Sequence, residues 1–171
     1  MMREIECSRG GFNVFACVLG DPAAPALLYL QGGPGFPAPR QRFEWVTHAL
    51  NRGYQVVLLD QRGTGRSTRI DSATPELIRT DVLASLRADE IVADAEALRE
   101  EMGLDRWDVL GQSFGGFCLM HYLAARPDSV GRALFTGGVP SIGEGADEVY
   151  RATFAKLKRR HLQFDEAYPD A

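Results

Sequence analysis

The stretch Gly111–Gly116, GQSFGG, restricts the chain more than any other. It follows a short apolar strand signal, Trp107-Asp108-Val109-Leu110, and opens a helical pattern from Phe117 to Leu123. A G-x-S-x-G sequence between strand and helix is a nucleophile elbow, a turn so tight that its serine takes strained backbone angles. Ser113 is therefore the candidate nucleophile. A β-carbon at Gly111 or Gly115 is expected to clash across the turn. The helix that begins behind the serine aims unpaired N–H groups and a positive dipole end at the same spot. That suits an oxygen becoming negative during acyl transfer.

The rest of the chain supplies a frame for such a turn. Phe12 to Leu19 reads as a strand with Gly20-Asp21-Pro22 as its turn. Ala26 to Leu30 and Gln55 to Leu59 are short continuous apolar runs, as expected of strands buried on both faces. The first runs into Gln31-Gly32-Gly33-Pro34-Gly35, and the second, ending at Asp60, into Gln61 to Ser67. Phe43 to Leu50 is a predicted helix stopped by Gly53. About Thr80 to Met102 is a helical region with a break near Arg87. Within it Ile91, Ala95, Leu98 and Met102 keep one face. Pro127 ends the elbow helix, and Val130 to Thr136 is a further strand before Gly137-Gly138-Val139-Pro140. Strands alternating with helices, with glycine-rich loops after the strands, indicate an α/β chain: a mostly parallel sheet with helices on both faces. All four loops then fall at the carboxyl edge of the sheet, where one site can use them together. From about Glu144 the chain turns charged and helical. The expected division is residues 1–140 as the core and 141–171 as the start of a helical cap.

A serine hydroxyl needs a base, and its tetrahedral adduct needs oxyanion donors. One donor is expected to be the N–H of Phe114, directly after the nucleophile, and the second that of Gly33, with Gly32 next. The loop at 60–67 lacks the Lys-Ser/Thr ending of a phosphate loop, so a structural role is expected: Asp60 pairing with one of its arginines. Cys118 reads as a packing thiol. A net charge of −4 and the lack of a basic face before residue 150 speak against nucleic acid, and Lys156 to Arg160 reads as a solvated face. Three cysteines with no metal or redox spacing suit a reducing cytoplasm, and no cofactor or metal is expected. The N-terminal MMREIECSRGGF has no apolar core for a signal peptide, and no apolar run reaches the length of a membrane span.

QGGPG, DQRGTGRS and GQSFGG followed by FCLMHYLAARPDSV and TGGVP, in this order and spacing, resemble the proline iminopeptidases, the larger bacterial form above all. The resemblance runs from about Phe12 onward. Many relatives have His where this chain has Gln31. The resemblance implies an α/β-hydrolase fold and a metal-free serine aminopeptidase that removes N-terminal proline from peptides. Ser113 would be its nucleophile, with Gly33 and Phe114 as oxyanion donors.

A triad also needs an acid and a histidine, which follow the serine in this fold. Only His48, His121 and His161 occur. His48 precedes the elbow, and His121 lies about 12 Å along the elbow helix from Ser113. His161, with Asp147 or Glu148 behind it, is a remote alternative. The family's acidic cap residues, which hold the substrate amine, cannot be assigned. The expectation is an N-terminal portion of a longer enzyme, inactive alone and C-terminally incomplete. An exposed sheet edge would then favour self-association or a complementing chain. The alternatives are a truncated or degenerate non-catalytic chain, or an esterase or amidase of the same fold.

Overall fold

A computed structural model describes residues 1–40, 43–139 and 145–169. The chain divides into two units, Met1–Val139 and Pro140–Ala171. In the first, Met2–Arg9 (β1) and Phe12–Leu19 (β2) form an antiparallel hairpin in which Arg9 faces Phe12. Its two-residue turn is Gly10-Gly11, with φ of 59° and 82° at the two positions. A turn with both central φ values positive matches the twist of paired strands, and glycine adopts it without a side-chain clash.

Four further strands complete one sheet: Ala26–Leu30 (β3), Gln55–Asp60 (β4), Trp107–Gln112 (β5) and Val130–Thr136 (β6). Their order is β1-β2-β4-β3-β5-β6. The β2–β4 pair is antiparallel, whereas β4–β3, β3–β5 and β5–β6 are parallel. Every residue of β3 and β4 is buried, which explains their unbroken apolar runs.

Helices cover both faces. Glu44–Asn51 (α1) packs Val46 and Ala49 against Phe15, Leu27, Tyr29 and Leu58. On the opposite face Ala88–Glu101 (α3) and Phe114–Ala125 (α4) bury Ile91, Leu98, Leu119 and Tyr122 against Val14, Leu28, Leu59 and Val109. Each fully buried Leu or Val contributes roughly 1.5–3 kcal/mol. The expected helical break is present: Thr80–Ala84 (α2) ends before α3 begins at Ala88. Cys118 is fully buried in this core, where desolvation pushes its thiol up to about 12, so packing is its role.

One polar cluster is built into the α3–α4 layer. Glu96 accepts hydrogen bonds from Arg99 Nε at 2.9 Å, from Ser129 Oγ at 3.0 Å and from the Tyr122 hydroxyl, which itself accepts from Trp107 Nε1 at 3.0 Å. Burial raises the Glu96 carboxyl, but the bonds from Arg99, Tyr122 and Ser129 outweigh it and hold the group below its ordinary value of 4.5. A carboxyl depressed by folding contributes stability that is fully present above its unfolded value and is lost as pH falls through the folded value. Urea midpoints are therefore expected to be level from neutrality down to about pH 5 and to drop below about pH 4.5. Glu96→Gln should lower the neutral midpoint and flatten that acid limb; an unchanged limb would remove Glu96 from the account.

The second unit contains Ala146–Ala167 (α5). Asp147 and Glu148 occupy its first turn, where the helix dipole favours acids, and Thr153 Oγ1 donates to the Val149 carbonyl at 2.8 Å. The Phe164 and Tyr168 rings lie 5.0 Å apart. The expected cap boundary at 140–141 lies outside the described residues. No helix of the described residues is long and apolar enough to cross a membrane.

Candidate active site

Ser113 sits between the last residue of β5 and the first of α4, with φ 50° and ψ −118°. It is the one non-glycine residue with positive φ among the described residues. Such angles cost of order 1–3 kcal/mol and persist only where the surroundings enforce them. Here the enforcement is backbone against backbone. A β-carbon on Gly111 would stand 2.6 Å from the Gly115 carbonyl oxygen, the clash across the turn that the motif implies. At Gly115 the obstacle differs from the expected one. Its β-carbon would meet the Leu30 carbonyl oxygen at 1.9 Å, on the neighbouring strand rather than across the turn. Two more close approaches carry no mark in the motif's spacing. A β-carbon on Gly116 would lie 1.8 Å from the Gly138 oxygen, and one on Gly138 would lie 1.9 Å from the Ser113 oxygen. The elbow is thus wedged between the ends of β3 and β6. Ser113 N–H donates to Thr136 O at 3.0 Å, and Gly116 N–H to Ser113 O at 2.8 Å.

The side chain of Ser113 is exposed, and the loop after β3 lies against it. A β-carbon on Gly32 would be 2.7 Å from Ser113 Cβ and 3.4 Å from its Oγ. Gly33 follows with φ 61°. The N–H groups of Gly32 and Gly33 bond nothing among the described residues. Phe114 N–H, at the first position of α4, has no carbonyl one turn behind it. The structure thus brings the three predicted site residues, Ser113, Gly33 and Phe114, to one place at the carboxyl edge of the sheet.

Gln31 closes that loop on itself, because its Nε2 donates to the Phe36 carbonyl at 3.1 Å. Its Oε1 is buried and accepts no bond from the described residues. Beside Ser113 opens a cavity of about 500 Å³, walled by Tyr29, Phe36, Phe43 and Trp45 and floored by Gln112 and Ser113. Sequence reasoning did not assign the aromatic wall or Gln112. Tyr29 and Trp45 fall there within a predicted strand and a predicted helix, and only tertiary structure brings them to the same cavity as the serine.

Asp60 anchors the second glycine loop. It is fully buried and accepts from Ala38 N–H at 2.8 Å, Arg66 N–H at 2.8 Å and Arg40 Nη2 at 2.5 Å. The arginine that pairs with it is therefore Arg40, outside the loop, a correction to the expected partner. Arg66 contributes its backbone, and Arg62 turns instead to Asp94 on α3, at 2.7 and 2.5 Å. Asp60→Asn replaces an acceptor-only group with one that faces its donors with an NH2. The expected loss is about 3 kcal/mol in urea unfolding, and a loss under about 1 kcal/mol would rule the anchor out.

Two of the three histidines, His48 and His121, stand apart from this constellation. His48 is exposed on α1, 3.7 Å from Glu44. His121 is exposed on α4, two turns beyond the elbow, and lines a surface groove with Glu96 and Glu100. His161 belongs to the second unit.

The model of the alpha/beta hydrolase fold matches residues 25–171. The chain belongs to the α/β-hydrolase family. Its sequence is similar to a proline iminopeptidase of Aeromonas sobria, 48% identical over 161 residues that make up 88% of this chain and 37% of the relative. A proline iminopeptidase of Aspergillus aculeatus is 37% identical over 169 residues, covering 90% of this chain and 38% of its own length. The chain thus spans little more than a third of these relatives. Among solved structures, a proline iminopeptidase-related protein from Thermus thermophilus superposes with TM-score 0.59 at 27% identity. It covers 79% of this α/β-hydrolase chain and 44% of its own. A 2-hydroxy-6-oxo-6-phenylhexa-2,4-dienoate hydrolase from Rhodococcus, TM-score 0.65 at 23% identity, covers 84% and 49% and shares the fold.

Proposed function

We propose that this chain carries the nucleophile and oxyanion hole of a serine aminopeptidase that releases proline from the N-terminus of peptides. The observation that carries the reading is the strained, exposed Ser113, held against the unbonded N–H groups of the Gly32-Gly33 loop. The likeness to proline iminopeptidases supports the choice of substrate. Ser113 Oγ attacks the carbonyl carbon of the first peptide bond. Gly33 and Phe114 N–H groups hold the oxygen that becomes negative. The adduct collapses to a prolyl ester of Ser113 as the shortened peptide leaves with a proton, and water then releases proline.

The serine proton needs a base. The exposed His48 and His121 do not serve it, and our reading is that a complementing chain, rather than His161 of the second unit, contributes the base and acid. The sheet edge at β6, where Ala133 and Leu134 are exposed, offers such a chain or a second copy its backbone. The free thiols of Cys7, Cys17 and Cys118 suit a reducing cytoplasm.

The test is substrate choice. The isolated chain is expected to leave proline 4-nitroanilide intact. Protein supplied with base and acid should hydrolyse it in preference to N-acetylproline 4-nitroanilide and to 4-nitrophenyl acetate. Preference for the simple ester would replace the peptidase reading with an esterase one.

A further inference from the structure

The cavity beside Ser113 carries a polar group that the elbow chemistry leaves unused. Gln112, the residue before the nucleophile, is exposed at the cavity floor. Its Oε1 accepts the hydrogen bond of the Tyr29 hydroxyl. Tyr29 is itself 4% exposed, and its ring packs on Trp45 at 4.8 Å between centroids. In this arrangement the amide oxygen is engaged by a buried phenol, and the two N–H bonds of Nε2 have no partner among the described residues. The result is a neutral, oriented donor next to the nucleophile, with an aromatic wall above it.

We propose that Gln112 Nε2 and this aromatic wall form the subsite for the leaving peptide, with Gln112 donating to the carbonyl of the residue that follows the scissile bond. The assignment rests on the aminopeptidase reading and on the substrate's own chemistry. An N-terminal proline offers no acceptor besides the scissile oxygen, because its ring nitrogen is protonated and is donor only. The scissile oxygen belongs to Gly33 and Phe114. A donor at Gln112 would face the prolyl ammonium unfavourably on the acyl side. The next acceptor along the peptide is the carbonyl of the second residue. Its side chain then lies in the cavity of about 500 Å³. Walls of Tyr29, Phe36, Phe43 and Trp45 favour an aromatic or aliphatic side chain there. The favoured substrates are thus peptides with proline first and a large apolar residue second.

Binding tests this without turnover, so its outcome is separate from that of the functional reading. The chain has two tryptophans: Trp107 is buried in the core, and Trp45 lines the cavity and reports on it. Phenylalanyl-glycinamide, a leaving-peptide mimic, should change the fluorescence saturably, and Trp45→Phe should abolish the change. Phenethylamine, which has the ring and the amine but lacks the carbonyl, should bind about 5-fold more weakly, the worth of one neutral hydrogen bond. Gln112→Met, of similar length, should erase that 5-fold difference. Near-ultraviolet circular dichroism of Trp107 checks that each variant is folded. Equal binding of the two ligands, no saturable binding, or an unchanged ratio in Gln112→Met would each overturn the subsite. Absent proline-anilide hydrolysis would instead overturn the aminopeptidase reading.

Discussion

Gly115→Ala is expected to leave no cooperatively folded protein. The added methyl would stand 1.9 Å from the Leu30 oxygen, 2.5 Å from the Leu30 carbon and 3.0 Å from the Gln31 oxygen. None of these atoms is the movable tip of a side chain. All belong to the backbone at the end of β3, which is hydrogen-bonded to β4 on one side and β5 on the other. Relief would require α4 to lift off the sheet by more than an ångström, and its buried face includes Cys118, Leu119 and Tyr122. Overpacking with flexible neighbours costs about 1–3 kcal/mol. Here the neighbours cannot yield, and the cost approaches the roughly 5–15 kcal/mol that holds a whole domain together. Gly103→Ala is the control. Gly103 also has a backbone that disfavours side chains, with φ 65°, but nothing lies within 4 Å of its added carbon. It should lose only about 1–2 kcal/mol. Both variants can be compared by thermal unfolding. A Gly115→Ala protein melting near the parent would show that the helix is not seated on the strand end as described.

At Ser113 stability and activity are expected to move in opposite directions. Ser113→Gly removes the penalty on a side chain at φ 50° but adds freedom to the unfolded chain. The net expectation is a gain of about 1 kcal/mol in urea unfolding. In protein supplied with base and acid, Ser113→Ala should lower kcat for proline 4-nitroanilide by about a million-fold, the scale reached when a triad nucleophile is removed. A loss of only a few-fold would mean that Ser113 is not the nucleophile. A Ser113→Gly protein less stable than the parent would mean that its backbone is not strained.

What the sequence made legible was local. GQSFGG lies within one turn, so the strain at Ser113 and the need for glycine at 111 and 115 could be read together, although what Gly115 avoids lies on β3. The apolar runs of β3 and β4 likewise declared double burial. The β1 strand went unread because its alternation is carried by Arg3, Ile5, Cys7 and Arg9, two of them charged, with stems half-buried. Gly10-Gly11 was the available signal. The partner of Asp60 was misassigned because Arg62 and Arg66 are its neighbours in sequence, whereas Arg40 becomes its neighbour only through the fold. Gly138 and the aromatic wall were missed for the same reason: each acts on a residue distant in sequence.

Strand order has a consequence for how the protein comes to be folded. Leu27 to Leu30 of β3 pair with Asp108 to Gly111 of β5, about eighty residues later. The Gly32-Gly33 loop and Ser113 therefore stand at the two ends of a long loop that must close before either has its neighbour. Loop closure of this length is entropically uphill until the parallel pairing and the seating of α4 repay it, which makes such steps slow. During synthesis, Gly33 leaves the ribosome well before Ser113 exists. The corner that joins them is then among the last parts to form, and until it does Ser113 is an ordinary, unstrained serine.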